Sequence, residues 1–238
     1  RLQATPHGDE AIAAVATELT ATEEKAEELA RNIHATREKA APTFNDAIQT
    51  TLARLGMPEA RFVVQLTPAP ALTPTGDDEI DFLFTANGNF APQKVERIAS
   101  GGEISRVMLA LKALLAHRME LPTIIFDEID TGVSGRIADA MGEIIAALAA
   151  KMQVVDITHL PQVASKGSSH FVVYKRDGRT SITRLTDDER ETEIAKMLSG
   201  SEITDAARTQ ARILLGRAAR PSKRSAQNTP DETSGKLF

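Results

Sequence analysis

The sequence has no cysteine. Disulfides, thiolate metal sites and thiol nucleophiles are therefore excluded together, and such a chain suits a reducing, cytoplasmic setting. No apolar run is long enough to span a bilayer, which removes membrane spans from the candidate functions. A charged-then-apolar leader is also missing and the first residue is Arg1 rather than Met, so the sequence reads as a fragment of a longer protein. Charge of one sign is not in large excess, with 28 basic against 33 acidic residues and a net charge of -5. A broad basic surface is thus excluded, and any nucleic acid would be met by a local patch or by other segments. What is present is 238 residues, 42% of them hydrophobic, enough for one sizeable core with appendages or for two small domains.

Along the chain, Ile12, Val15, Leu19, Thr22, Ala26, Leu29, Ile33 and Thr36 recur at alternating steps of three and four. That spacing is a heptad seam flanked by Glu18, Glu23, Lys25 and Arg37, and it calls for a partner helix; a surface helix packed on its own domain is the alternative. Pro42 is placed in the first turn of a second helix carrying Phe44, Ile48, Leu52 and Leu55 on one face and stopping near Gly56. Two alternating runs, RFVVQLTP from Arg61 and EIDFLFTAN from Glu79, read as an antiparallel pair around a Pro-, Thr- and Gly-rich loop. PTIIFDE from Pro122 and QVVDITH from Gln153 read as buried parallel strands of an α/β sheet. Asp177-Gly178 marks a hairpin between residues 171–175 and 180–185, and helices are expected near 188–198 and 202–218. Beyond Pro221 no periodic apolar pattern survives, so a disordered tail is expected over residues 221–238.

Three places carry chemistry. Ser100-Gly101-Gly102-Glu103 precedes an amphipathic run, and adjacent glycines at a helix N-terminus let backbone N–H groups approach an anion. A simple turn capped by Ser100 explains the same residues. Asp127-Glu128 ends an apolar strand, where one acid can hold a hydrated Mg²⁺ while the next polarises an attacking water. Two solvated acids at a strand end are the plainer alternative. The small-residue loop Asp130-Thr131-Gly132-Val133-Ser134-Gly135 follows directly, and His159 emerges after Ile157-Thr158 at the C-terminal edge of the same parallel sheet. Ligands gather at that edge in α/β proteins, so His159 is either a structural histidine or a γ-phosphate sensor.

The order of these elements resembles that of ABC-type ATPase heads. In detail, IASGGEISRVMLALK, TIIFDEIDTGVSG, ITHLPQVAS and ERETEIAKMLSG are similar to the C-terminal head half of the bacterial RecN family of DNA-repair proteins, relatives of the SMC proteins. The resemblance covers most of residues 95–200. It implies the C-terminal half of an ABC/SMC-type P-loop ATPase head: a returning coiled-coil arm over residues 1–41, a head lobe over 42–220 and the tail. It also implies roles. Ser100, Gly101, Gly102 and Glu103 would be the signature motif facing ATP held by a second protomer, Asp127 the Mg²⁺ acid, Glu128 the general base and His159 the switch histidine. Residues 130–135 would be the D-loop, although Ser134 stands where many such heads carry aspartate and takes no catalytic role. No G-x-x-x-x-G-K-[ST] occurs in the sequence, so the implied partners are an N-terminal lobe bearing that loop, a second protomer and DNA. The fragment alone is expected to be inactive. Another SMC- or SbcC-like head, or a non-hydrolysing coiled-coil scaffold, are the competing readings.

Overall fold

The computed structural model describes residues 6–217 except 99, 120, 177 and 201; the expected tail lies outside the described residues. The chain divides into two compact units, Arg1–Ala164 and Ser165–Phe238.

The first unit begins with α1, a 49-residue helix over Pro6–Arg54. It does not break at Pro42, which lies inside it. A proline there removes one helical hydrogen bond, but the helix is held on both sides of the defect. Downstream, Ile48, Leu52 and Leu55 are fully buried. Upstream, His34 Nδ1 lies 2.6 Å from Asp78 Oδ1, and Arg37 donates to Asp78 Oδ2 at 3.0 Å and to the Thr75 carbonyl at 2.7 Å. Thr75 lies in the turn joining β1 (Arg61–Thr73) to β2 (Gly76–Thr85), and Asp78 lies near the start of β2. Gly76 seats that turn on the helix: its φ is +104°, and a Cβ would stand 3.4 Å from Ile33 and 3.3 Å from Arg37. The seam nearer the start of α1 is unpartnered, with Ile12, Val15 and Leu19 exposed.

Strands β1 and β2 are antiparallel from Arg61↔Thr85 to Pro68↔Asp78, and β3 (Gln93–Lys94) adds to β2, giving the order β1-β2-β3. Strand β1 runs on past Pro68, its expected end, and through Pro70, a residue expected in the loop. It is an edge strand with a register irregularity between Pro68 and Thr73, a place where missing N–H donors are tolerated. After a short 3₁₀ turn over Val95–Arg97, α2 (Gly101–Met119) bridges two apolar clusters. Val107, Ala110 and Leu111 join Ile48, Leu52, Phe62 and Phe84 in one; Leu109 and Ala116 join Phe126, Met141 and Leu148 in the other. Arg106 ties α2 to the end of α1 by donating to the Leu55 carbonyl at 3.1 Å.

Strand β4 (Thr123–Asp127), α3 (Gly135–Ala149), β5 (Gln153–Ile157) and the short α4 (Pro161–Ala164) follow. Strands β4 and β5 are parallel, as expected, in the register Thr123↔Gln153 through Asp127↔Ile157. They are not buried on both faces. Ile124 and Phe126 point into the cluster with Ile144, Ile145 and Leu148 of α3, whereas Ile125, Val155 and Ile157 on the opposite face are 60%, 43% and 51% exposed. A nearly continuous apolar run signals a strand that has apolar residues on both faces, and within this unit only one face is covered.

In the second unit, β6 (Phe171–Arg176) and β7 (Arg179–Arg184) form a hairpin whose turn includes Gly178 at φ 75°, while Asp177 lies outside the described residues. Helix α5 (Asp187–Ser199) starts at a capping box in which Thr186 and Glu189 satisfy each other's backbone N–H. Helix α6 (Asp205–Leu214) starts three residues later than expected because the Thr204 hydroxyl caps it, accepting from Ala207 N at 3.1 Å. Ile194, Ala195, Ala207 and Ala211 are buried, and Arg212 pairs with Glu191 at 2.8 Å.

Candidate functional site

The parallel register fixes the site. Because Asp127 pairs with Ile157, the residues following each strand emerge at one edge, Glu128 from β4 and His159 from β5. The ladder continues one step further, with Glu128 N donating to the Ile157 carbonyl at 3.1 Å. Asp127, Glu128 and His159 are all solvent-accessible, so each is free to meet a ligand. Glu128 has φ 47°, the one non-glycine residue with positive φ among the described residues. Such a conformation costs a side-chain-bearing residue roughly 1–2 kcal/mol, and strain of this kind collects at functional sites. The turn that imposes it is closed by the Thr131 hydroxyl, which donates to the Glu128 carbonyl at 2.9 Å.

The same turn reaches the Ser-Gly-Gly-Glu segment. A Cβ on Gly102 would stand 3.1 Å from the Thr131 carbonyl oxygen, so a side chain there would crowd the close approach of α2 to this turn. Ser100 occupies the N-cap position, its carbonyl accepting from Ile104 N at 3.1 Å, and both Ser100 and Gly101 are exposed. Glu103 is half-buried in the first turn of α2. Ser134, given no role above, is the N-cap of α3 but makes no capping hydrogen bond with its side chain.

Two residues that sequence reasoning did not single out stand behind these. Asp130 is 1% exposed. Its Oδ2 accepts from the Thr158 hydroxyl, Thr158 Oγ1 in turn accepts from Leu160 N at 2.9 Å, and its Oδ1 lies 3.4 Å from His159 Nδ1. Asp156, one residue before the end of β5, has both carboxylate oxygens buried without a hydrogen-bond partner. Burial, and then the negative charge of Asp130, push its pKa up to about 6. A polar residue within an apolar strand was the one available signal for Asp156; Asp130 was hidden in a loop of small residues. Among the described residues no group of three or more His, Cys, Asp or Glu side chains is arranged to hold a metal. Asp127 alone suits Mg²⁺, which commonly takes one or two carboxylates and fills its remaining positions with water and substrate phosphate.

No protein-family model matches the sequence. The DNA repair protein RecN of Rickettsia felis is 38% identical over 192 residues, which are 79% of this chain and 35% of that protein. The chain corresponds to the C-terminal part of RecN. It spans about a third of the length of the RecN proteins it matches. In fold this RecN-like chain is similar to the Smc head domain with a coiled coil and joint from Pyrococcus yayanosii, with a TM-score of 0.61 and 17% identity, covering 80% of this chain and 35% of that one. A second solved structure, from a study of ATP-driven dimerization and DNA-stimulated activation of SMC ATPases, aligns with a TM-score of 0.50 and 16% identity, covering 71% of this chain and 99% of that one. The fold is therefore that of part of an SMC head domain. No helix among the described residues is long and apolar enough to cross a membrane.

Proposed function

We propose that the chain is the C-terminal lobe of an ATP-hydrolysing RecN head that works in the repair of DNA double-strand breaks. The observation that carries the reading is the β4–β5 register, which brings an acid pair and a histidine to one sheet edge beside the glycine-bearing N-terminus of α2. Similarity to a DNA repair protein and to SMC ATPases supports it.

In this reading Ser100, Gly101, Gly102 and Glu103 present the first turn of α2 to the γ-phosphate of ATP bound mainly by a second protomer, because helix N-termini attract phosphate. Glu128 accepts a proton from water as the water oxygen bonds to the γ-phosphorus and the bond to the bridging oxygen of ADP breaks. His159 faces the same phosphate. Asp127 holds Mg²⁺, which when bound neutralises charge on the phosphates. The loop that cradles those phosphates comes from outside these residues, since they contain no G-x-x-x-x-G-K-[ST]. The uncovered face of Ile125, Val155 and Ile157 is the natural seat for the lobe that brings it. The working partners are thus that lobe, a second protomer and DNA, in the cytoplasm and on the nucleoid.

Complementation between two inactive variants of the complete protein tests the assignment. Ser100→Arg places a bulky cation where the partner's nucleotide docks, and Glu128→Gln removes the base. In a mixed dimer one site combines both defects and the other combines two intact halves. Mixing should restore activity, up to about half the parental rate for independent sites. Mixed dimers that form and close on ATP yet hydrolyse no faster than either homodimer would refute the trans role of Ser100.

A further inference from the structure

We infer that Asp130 is a positioning residue for His159: its buried carboxylate holds the Nδ1 side of the ring and leaves Nε2 directed outward for the ligand. The inference rests on the assignment of His159 to the nucleotide site. Asp130 sits two residues beyond the strained Glu128 and is 1% exposed, a burial that an aspartate tolerates only with partners. One oxygen is satisfied, since Oδ2 accepts from the Thr158 hydroxyl. The other is not: Oδ1 is buried and accepts no hydrogen bond, and His159 Nδ1 lies 3.4 Å from it. That distance is an ion-pair contact and slightly too long for a good hydrogen bond, the state expected of a catalytic pair before its ligand closes the site. The histidine side chain is itself 66% exposed, with Asp130 beside its Nδ1.

The loop carrying Asp130 is well fixed. Its carbonyl accepts from Val133 N at 3.2 Å, and the Thr131 hydroxyl closes the preceding turn on the Glu128 carbonyl at 2.9 Å. Thr158, adjacent to His159, is gripped by the same carboxylate and also anchors Leu160 N. One side chain therefore sets the spacing between the turn that presents Glu128 and the loop that presents His159. An ionised carboxylate only accepts, so Nδ1 must carry a hydrogen to meet it. The other ring nitrogen, Nε2, is then left to face the phosphate.

Asp130→Asn separates this role from packing, because the amide has nearly the same shape and its oxygen can keep the bond from Thr158. Its NH₂ is then turned to the ring, Nδ1 becomes an acceptor and the ring proton moves to Nε2. In the complete protein the variant should lower kcat by about ten- to a hundred-fold, the cost typical of losing the group that orients a functional histidine, with KM little changed. His159→Gln should lower it too, and the double variant should be no slower than His159→Gln alone, since Asp130 acts through that ring. Losses that multiply would assign Asp130 a merely structural part and overturn the inference. Nitrogen NMR of the His159 ring decides independently of turnover. A hydrogen on Nδ1 in the parent and on Nε2 in Asp130→Asn supports the inference, and a parent ring with bare Nδ1 overturns it. A complete protein that hydrolyses no ATP would refute the functional reading, and the ring measurement would still judge Asp130.

Discussion

Replacing Asp156 by asparagine should stabilise the protein at neutral pH, and the gain should vanish in acid. An unfolded aspartate titrates near pH 3.9, whereas burial and the nearby Asp130 charge push Asp156 up to about 6 in the fold. The folded state therefore binds this proton more tightly than the unfolded state. Stability falls as pH rises between these two values, and the full penalty is present above the higher one. A gap of roughly two units at 1.36 kcal/mol each is about 3 kcal/mol. Solvent that reaches this half-buried residue reduces the penalty to about 2 kcal/mol. Asparagine cannot ionise and escapes it at every pH. Urea denaturation followed by far-UV circular dichroism, run on parent and variant side by side, reads the difference while acid effects common to both cancel. Asp156→Asn should lead by about 2 kcal/mol at pH 7.5 and by nearly nothing near pH 3. An advantage equal at both values, or none at pH 7.5, would show that the buried oxygens of Asp156 carry no electrostatic cost.

Glu128→Gly relieves left-handed strain of roughly 1 kcal/mol while adding a comparable entropy to the unfolded chain, so the melting temperature should hardly move. ATP turnover by the complete protein should nevertheless fall by about a hundred-fold or more; an unchanged rate would remove Glu128 as the base. Phe126→Ala empties a fully buried site in the α3 cluster and should cost about 3–5 kcal/mol in chemical denaturation. Asp78→Ala should release the middle of α1 from the β1–β2 turn, seen as faster amide exchange near residues 30–37. The hydrogen bond to Asp78 raises the His34 pKa, so that contribution is present below the ordinary histidine value and lost as pH rises through the raised one. Asp78 is itself lowered, chiefly by His34, so its contribution is lost as pH falls through its depressed value. Protection from exchange, taken relative to the intrinsic amide rate at each pH, should therefore be greatest at mildly acidic pH and fall on either side.

Periodicity made the pairings legible: the alternation around Phe62 and Phe84 located β1 and β2, and the apolar runs before Asp127 and after Gln153 located β4 and β5. Proline misled in both places where it was weighed. Pro42 was read as a helix start and Pro68 as a strand end, yet packing on both sides of Pro42 and the edge position of β1 outweigh one missing donor each. The acids behind the site were not legible, because burial is a tertiary property and Asp130, Asp156 and Thr158 meet only when two strands lie side by side. The same holds for the His34, Arg37 and Asp78 cluster, whose members lie about forty residues apart in sequence and far from any motif. The candidate ligand-facing residues were easier to find, since each terminates a strand or begins a helix.

Helix α1 has the mechanics of a lever. At about 1.5 Å per residue its 49 residues extend roughly 70 Å. It is gripped twice, at Asp78 and by the core around Ile48 and Leu52, and its one compliant point, Pro42, lies between the two grips. From the buried Ala30 back to Pro6 the free limb is about 36 Å long, so a tilt of about 5° moves its tip by roughly 3 Å. Force runs the other way as well. A pull on the exposed seam at Ile12, Val15 and Leu19 is concentrated at the short limb, where Arg106 holds the Leu55 carbonyl and hands the displacement to α2, the helix that starts at Gly101.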